Sequence, residues 1–416
     1  MVGSGVTQPA TRASRPFLPQ VMTAASANVL GAVGAAVAGI LVARSLGPSG
    51  RGVVAGSLAW AGVAGLLTSV GLVHAMTYFV ARAPSATWSI LRTALGCSLP
   101  PSLAVAVTGS VVAYARMGGT EALTYTCAFL SIPLFVAGGL YTGALQALNT
   151  SFWNAARLSQ QGVYLVAIAS VFASGRLSLT AVAFIILCSV ASQMLLARWL
   201  VRRVVPSRSP DDDPPSARSL LSYGIRNLLA ALPSTVNGRL DQAVLAVAAS
   251  RAELGSYAVA VSLSLLGGPV VAAFGNIAFP RIAAMTAEAD RRAMERLAFV
   301  GSLAVSGVLA LATFLAAPRL VDLLFGAEFT AAVPLIRILA PAGVALSANL
   351  VLADLLRARG RPEDAAKAEG VAAVVTAVLL LVFAPRYGAA AAAWTSLVAY
   401  CLAAVILVGR LRHARA

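Results

Sequence analysis

The chain has 416 residues, 59% of them hydrophobic and only 11% charged, with a mean hydropathy of +0.84; that composition excludes an ordinary soluble protein. A formal net charge of +16 invites a nucleic-acid reading, but the basic residues sit at the ends of apolar runs and are not gathered on one soluble segment, so no nucleic-acid partner is expected. Apolar runs long enough to cross a hydrocarbon core of roughly 30 Å recur from about Asn28 to the C-terminus, which reads as an all-α polytopic membrane protein.

In chain order, residues 1–25 read as a cytosolic tail: Arg12 and Arg15 are present, but no small-residue cleavage site follows a short apolar core. Six spans follow over residues 26–203, a first lobe: Ser26 to Val42, Val53 to Phe79, Ser89 to Tyr114, Leu123 to Ala147, Ala155 to Ser174, and Leu177 to Leu200. Residues 204–219, with "VVPSRSPDDDPPSARS", form an exposed cytosolic linker, and its three adjacent aspartates read as a solvated charge run. A second lobe over residues 220–408 holds Leu220 to Val247, Leu254 to Phe279, Ala298 to Ala316, Pro334 to Leu355, Ala372 to Phe383 extended on its inner side, and Ala389 to Val408. The last of these twelve helices is followed by a cytosolic tail, 409–416. Ala283 to Phe299 begins as a short amphipathic helix on the inner surface. With the N-terminus inside, the inner segments carry 21 Arg and Lys and the outer loops 7, so the bias places both termini in the cytosol.

The two lobes share a repeat. "SLGPSGRGVVAGSLAWAG" after the first helix and "SRAELGSYAVAVSLSLLG" after the seventh fall into step when Gly52 is set against Gly255. An even number of helices per lobe gives both repeats the same orientation, related by an axis along the membrane normal, with a cleft between them able to open to either side. Cys97, Cys127, Cys188 and Cys401 lie within apolar runs with no CxxC, so neither disulfides nor a metal site is indicated.

The order and spacing of several stretches resemble the Wzx-type lipid-linked oligosaccharide flippases, in the superfamily that includes multidrug and toxin extruders and lipid II flippases. The stretches are "ILVARSLGPSGRGVVAGSL", "RLDQAVLAVAASRAELGSYAVAVSLSLL", "NIAFPRIA", "LVDLLFGAEFTAAVPLIRILAP", "LLRARGRPEDA" and "YGAAAAAWTSLVAY". The resemblance implies a V-shaped pair of six-helix lobes in the bacterial inner membrane. It implies flipping of an undecaprenyl-diphosphate-linked glycan, driven by an Na+ or H+ gradient or the membrane potential and without a bound cofactor. A polysaccharide polymerase or chain-length regulator is a further partner to expect, beside membrane lipids. Two departures stand out. Lipid II flippases of the superfamily carry fourteen helices against twelve here, and Arg239 precedes the seventh-helix acid where a basic residue is expected after it.

The charges bear on substrate. Through Arg203 there are 12 basic residues and one acid, Glu121, so a cation extruder that uses a first-lobe carboxylate is disfavoured, while an anionic diphosphate fits a cationic cleft. In "STVNGRLDQAVLAVAAS", Arg239 and Asp241 lie about 200° apart around a helix and ~15 Å from its outer end, too deep for easy snorkelling unless Pro233 breaks the helix. One reading has Arg239 on substrate phosphate or a gating partner, with Asp241 contacting substrate, orienting an Arg or coupling an ion; the other is a salt bridge internal to the lobe. Arg226 meets the diphosphate on its way in or simply snorkels. Asn28 and Asn276 line the cleft or hydrogen-bond between helices. Arg44 and Arg51 gate the exit or are solvated loop charges, and His74 titrates in a proton-coupled cycle or is packed. No GxxxxGK[ST] motif is present, and the short outer loops lack room for the catalytic groups of a glycan polymerase, so the chain is not expected to be an enzyme. A drug extruder of the same fold, a lipid II flippase and a facilitator of another superfamily are the alternatives.

Overall fold

The computed structural model describes residues 17–205, 215–265, 267–268, 271, 282, 285 and 287–415. The helices are α1 (Phe17–Ser69), α2 (Leu72–Arg82), α3 (Thr87–Arg116), α4 (Gly119–Leu148), α5 (Thr150–Ala173), α6 (Leu179–Val204), α7 (Ala217–Ala248), α8 (Arg251–Ser264), α9 (Glu288–Leu324), α10 (Ala332–Ala358) and α11 (Pro362–Arg415). No strand occurs among the described residues. Large apolar side chains point outward, Val405 at 70% and Leu315 at 69% exposure among them, the pattern of a bundle whose solvent is lipid.

Among the described residues, seven helices are long and apolar enough to cross a membrane, and two of them are double spans. At 1.5 Å per residue, α1 and α11 would each reach about 80 Å, more than twice the hydrocarbon thickness. Each folds back at a glycine: Gly47 (φ 65°, ψ −175°) in α1 and Gly388 (φ 53°, ψ −133°) in α11. Pro48 follows Gly47 as the first residue of the returning limb, where its missing N–H costs nothing. With α5, α7 and α8 counted, the twelve expected spans are accounted for, α8 as far as Ser264.

The first helix begins at Phe17, inside the expected tail 1–25, the last runs on to Arg415 through the expected tail 409–416, and one span is interrupted. The second span, expected unbroken from Val53 to Phe79, ends at Ser69 and resumes at Leu72, with Val70 (φ 50°) and Gly71 (φ 66°) both left-handed between. A β-branched residue there is a backbone outlier. The eleventh span carries the expected inner-side extension back to Pro362, with Glu363 and Asp364 in its first turn. Residues 283–287 lie largely outside the described set, and from Glu288 the inner helix runs unbroken into the ninth span. Asn149, Ser178, Ser216 and Ser250 cap α5, α6, α7 and α8 by accepting a backbone N–H.

Following the charge bias, the face carrying Gly47 and Gly388 is called outer. The lobes interlock at both faces. Near the outer face Ala43 and Ala55 of the first lobe join the second-lobe cluster around Tyr257. Near the inner face Leu220 and Tyr223 of α7 pack into the first-lobe cluster around Met76 and Leu140.

Candidate functional site

The seam between the lobes is the returning limb of α1 against α7 and α8, and glycines set its closeness. A Cβ at Gly52 would lie 1.8 Å from the Arg251 carbonyl oxygen; one at Gly255 would lie 1.9 Å from that of Pro48. Each glycine meets the backbone four residues before its partner, so the repeat in the sequence is a physical two-fold contact. Lipid gives helices little apolar drive to associate, and small residues allow such backbone approach.

Polar contacts clasp the same outer end. Arg251 and Glu121, from opposite lobes, pair at 2.6 Å. Arg44 donates from Nε to the Leu324 carbonyl at 2.9 Å, and from Nη2 to that of Leu323, binding the end of the first span to the carbonyl end of α9. At the inner end a Cβ on Gly71 would meet the Gly224 carbonyl at 2.1 Å, and Tyr78 stacks on Tyr223 at 4.5 Å with Arg82 over the Tyr78 ring.

Midway along this seam lies Arg239. It is exposed, and a Cβ at Gly62 on the facing limb would lie 3.6 Å from its Nη1, so the guanidinium spans the cleft from the second lobe to the first. Asp241 points the other way. It is 6% exposed, and its Oδ2 accepts from the Tyr257 hydroxyl at 2.6 Å while its Oδ1 accepts from the Gln242 N–H at 2.7 Å. The two charges divide as their helical spacing requires.

Asp241 borders a second-lobe cavity of about 270 Å³, with Asn237, Asn349, Glu369, Ser396 and Tyr400 also on its wall. Tyr400 donates to the Asn237 carbonyl at 3.0 Å, Thr376 donates to Asn237 Oδ1 at 3.1 Å, and Asn349 donates to the Tyr400 carbonyl at 3.0 Å. Asn349 Oδ1 and Ser264 Oγ are buried without a hydrogen-bond partner among the described residues, and both residues line the cavity. Buried polar atoms are ordinarily satisfied, so the cavity wall carries spare oxygen acceptors beside a carboxylate. No group of three His, Cys, Asp or Glu suited to a metal occurs among the described residues.

The other expected residues are scattered. Arg226 is exposed and folds back on its own helix, donating to the Ser222 carbonyl and hydroxyl. Arg51 turns away from the clasp into the first lobe: a Cβ at Gly39 would lie 3.6 Å from its Nη2, and its Nε is buried without a hydrogen-bond partner among the described residues. His74 is exposed on α2 and lines none of the cavities described. Asn276 and the Asn28 side chain lie outside the described residues. Sequence reasoning did not single out Tyr257, Tyr400, Asn237, Asn349 or Glu369. Glu369, an acid at the foot of an apolar span, was the one visible signal.

Residues 41–334 match the family described as polysaccharide biosynthesis protein. A probable low-salt glycan biosynthesis flippase, Agl15, of Haloferax volcanii is 21% identical over 195 residues, 46% of this chain and 41% of that protein, so the chain spans about two fifths of the length of this curated relative. Among solved structures, the inward-facing conformation of a multidrug resistance MATE family transporter of the MOP superfamily superposes with a TM-score of 0.74 at 15% identity, over 92% of this chain and 94% of that one. The lipid II flippase MurJ, in an inward closed conformation, gives 0.73 at 11% identity, over 94% and 87%. The fold is therefore the two-lobed MATE fold.

Proposed function

Because the chain belongs to the polysaccharide biosynthesis protein family, we propose that it is a flippase carrying a lipid-linked oligosaccharide, an undecaprenyl-diphosphate-linked glycan, from the cytosolic to the outer leaflet of a bacterial inner membrane. Arg239 carries the reading. A diphosphate stripped of water in lipid loses far more than its isoprenoid tail recovers, and a guanidinium in the cleft returns part of that loss through paired, charge-assisted hydrogen bonds. The first lobe places no competing carboxylate there: its one acid, Glu121, is held by Arg251 at the outer end. The glycan and diphosphate pass between the lobes while the tail stays in lipid, and no covalent bond is made or broken.

The second-lobe cavity is the coupling site in this scheme. Asp241, Asn349 Oδ1 and Ser264 Oγ offer oxygen ligands to a Na+, and the carboxylates of Asp241 and Glu369 offer proton acceptors, so ion occupancy at Asp241 alters the charge directly behind Arg239. The outer clasp of Arg44, Arg251 and Glu121 is the gate that must open for release, where a polymerase or chain-length regulator would receive the product. Asp241 and Glu369 also favour one rival, an ion-coupled multidrug extruder whose carboxylates meet an organic cation.

Deletion of the gene, followed by analysis of lipid-linked oligosaccharides and surface polymer, separates the two. Flipping predicts accumulation on the cytosolic leaflet with loss of polymer, and unchanged polymer with altered drug sensitivity supports the extruder. Complementation with Arg239→Gln at normal protein level is expected to lower export about 10- to 150-fold, the equivalent of losing a hydrogen bond to a charged group. Full export by that variant refutes the role of Arg239.

A further inference from the structure

A pocket lies on the arginine-rich face of the second lobe, away from the cleft, where the start of α9 and the ends of α10 and α11 meet. It encloses about 340 Å³ over an apolar floor that includes Phe299, Leu352 and Leu411, and its rim carries Arg292, Arg296 and Arg412. No first-lobe residue lines it. Phe299 stands at the start of the apolar ninth span, so the floor sits at acyl-chain depth and the rim at the depth of lipid phosphates.

The rim is short of counter-charge. Glu295, the one acid at the pocket, is fully buried and held by Arg359. Glu288 is shared by Arg359 at 2.8 Å, Arg292 at 3.0 Å and Arg291 at 3.5 Å. Arg296 and Arg412 are exposed and have no ion-pair partner among the described residues. The ion pairs that Arg291, Arg292 and Arg359 make to acids of this region go to Glu288 and Glu295. A soluble anion would use the guanidiniums but leave the apolar floor unoccupied, and a zwitterionic lipid would bring its own cation against the rim. An anionic amphiphile satisfies both parts, its phosphate taking paired hydrogen bonds from arginine. Basic pockets between transmembrane helices on the cytosolic side hold lipid headgroups by this means.

We infer that this pocket binds an anionic glycerophospholipid of the surrounding leaflet, bracing α9, α10 and α11 against one another while the first lobe moves. The inference does not rest on the flippase reading.

The test uses the full chain in phosphatidylcholine nanodiscs titrated with phosphatidylglycerol, with retained lipid counted by native mass spectrometry. Phosphatidylglycerol is expected to be retained over phosphatidylcholine, about fivefold less for each of Arg296→Gln and Arg412→Gln and about 25-fold less for the pair, at the usual worth of a basic residue near the membrane surface. A control pair of exposed first-lobe arginines, Arg198→Gln with Arg202→Gln, is expected to leave retention unchanged. Equal retention of the two lipids by the unaltered chain overturns the inference, as does equal loss in the control pair. Displacement by equimolar undecaprenyl diphosphate would instead make the pocket a docking place for the substrate and overturns it too. Hydrogen exchange of the unaltered chain gives an independent reading of the site: phosphatidylglycerol is expected to protect the backbone at 292–299 and 408–412, and absence of protection there refutes the placement.

Discussion

Replacing Gly52 by alanine puts one methyl group where the two lobes meet backbone to backbone. Its Cβ would stand 1.8 Å from the Arg251 carbonyl oxygen, about 1.6 Å short of an ordinary 3.4 Å contact. The obstacle is main chain, not the end of a flexible side chain, so relief comes only by parting the returning limb of α1 from α8. Overpacking of this kind costs about 1–3 kcal/mol, and the cost falls only on the state in which the outer ends touch. The equilibrium is expected to move about 5- to 150-fold toward the outer-open state. Gly255→Ala, 1.9 Å from the Pro48 carbonyl, is expected to do the same, and Gly96→Ala, with nothing within 4 Å of its Cβ, is expected to do nothing. Electron–electron double resonance between labels at exposed Ser174 and Arg386, in a background without the four cysteines, reports the separation of the lobes. A distance distribution in Gly52→Ala identical to that of Gly96→Ala would refute the backbone contact.

Asp241→Asn is expected to preserve folding and binding of the lipid-linked glycan while abolishing the dependence of transport on an imposed ion gradient, measured in proteoliposomes; retained dependence argues against the cavity as the coupling site. Tyr257→Phe removes the donor to Asp241 Oδ2 and leaves a buried acceptor short of a partner, so the melting temperature is expected to fall with a loss of about 1–3 kcal/mol. The Arg251–Glu121 pair, with side chains 56% and 18% exposed, is expected to show a coupling of only about 0.2–1 kcal/mol in a double-mutant cycle, vanishing near 1 M salt; a larger, salt-insensitive coupling would show that the pair is sequestered from water. Glu288 is held down to about 2, first by hydrogen bonds from Arg359 and then from Arg292. A depressed carboxylate stabilises above its ordinary value of 4.5 and stops doing so as pH falls through about 2. The melting-temperature gap between the unaltered chain and Glu288→Gln is therefore expected to hold from pH 7 to 5 and close between about 4.5 and 2; closure already above pH 5 contradicts the hydrogen-bonded arrangement.

The architecture was legible in the sequence because lipid enforces it: every span must be apolar and helical, and Gly47 before Pro48 marks the outer turn openly. The same regularity let the spacing of Arg239 and Asp241 separate cleft from lobe interior. What periodicity cannot supply is a partner. Tyr257, Asn349 and Tyr400 come to the cavity from α8, α10 and α11, and nothing local in those helices points to Asp241. The break at Val70 and Gly71 escaped for a related reason, since it is held by contact with Gly224 on another helix rather than by a proline or a polar run of its own.

That contact turns the returning limb of α1 into a lever with its fulcrum at Gly71, seated against Gly224. From Gly71 to Gly52 is about 28 Å of helix, so swinging it by about 10° carries Gly52 about 5 Å, three times the clearance an added methyl group would demand. The joint already sits at left-handed angles in Val70 and Gly71, and at the far end of the limb Val53 and Val54 are buried against α3, α4, α5 and α6, so the limb takes that part of the first lobe with it when the outer mouth opens.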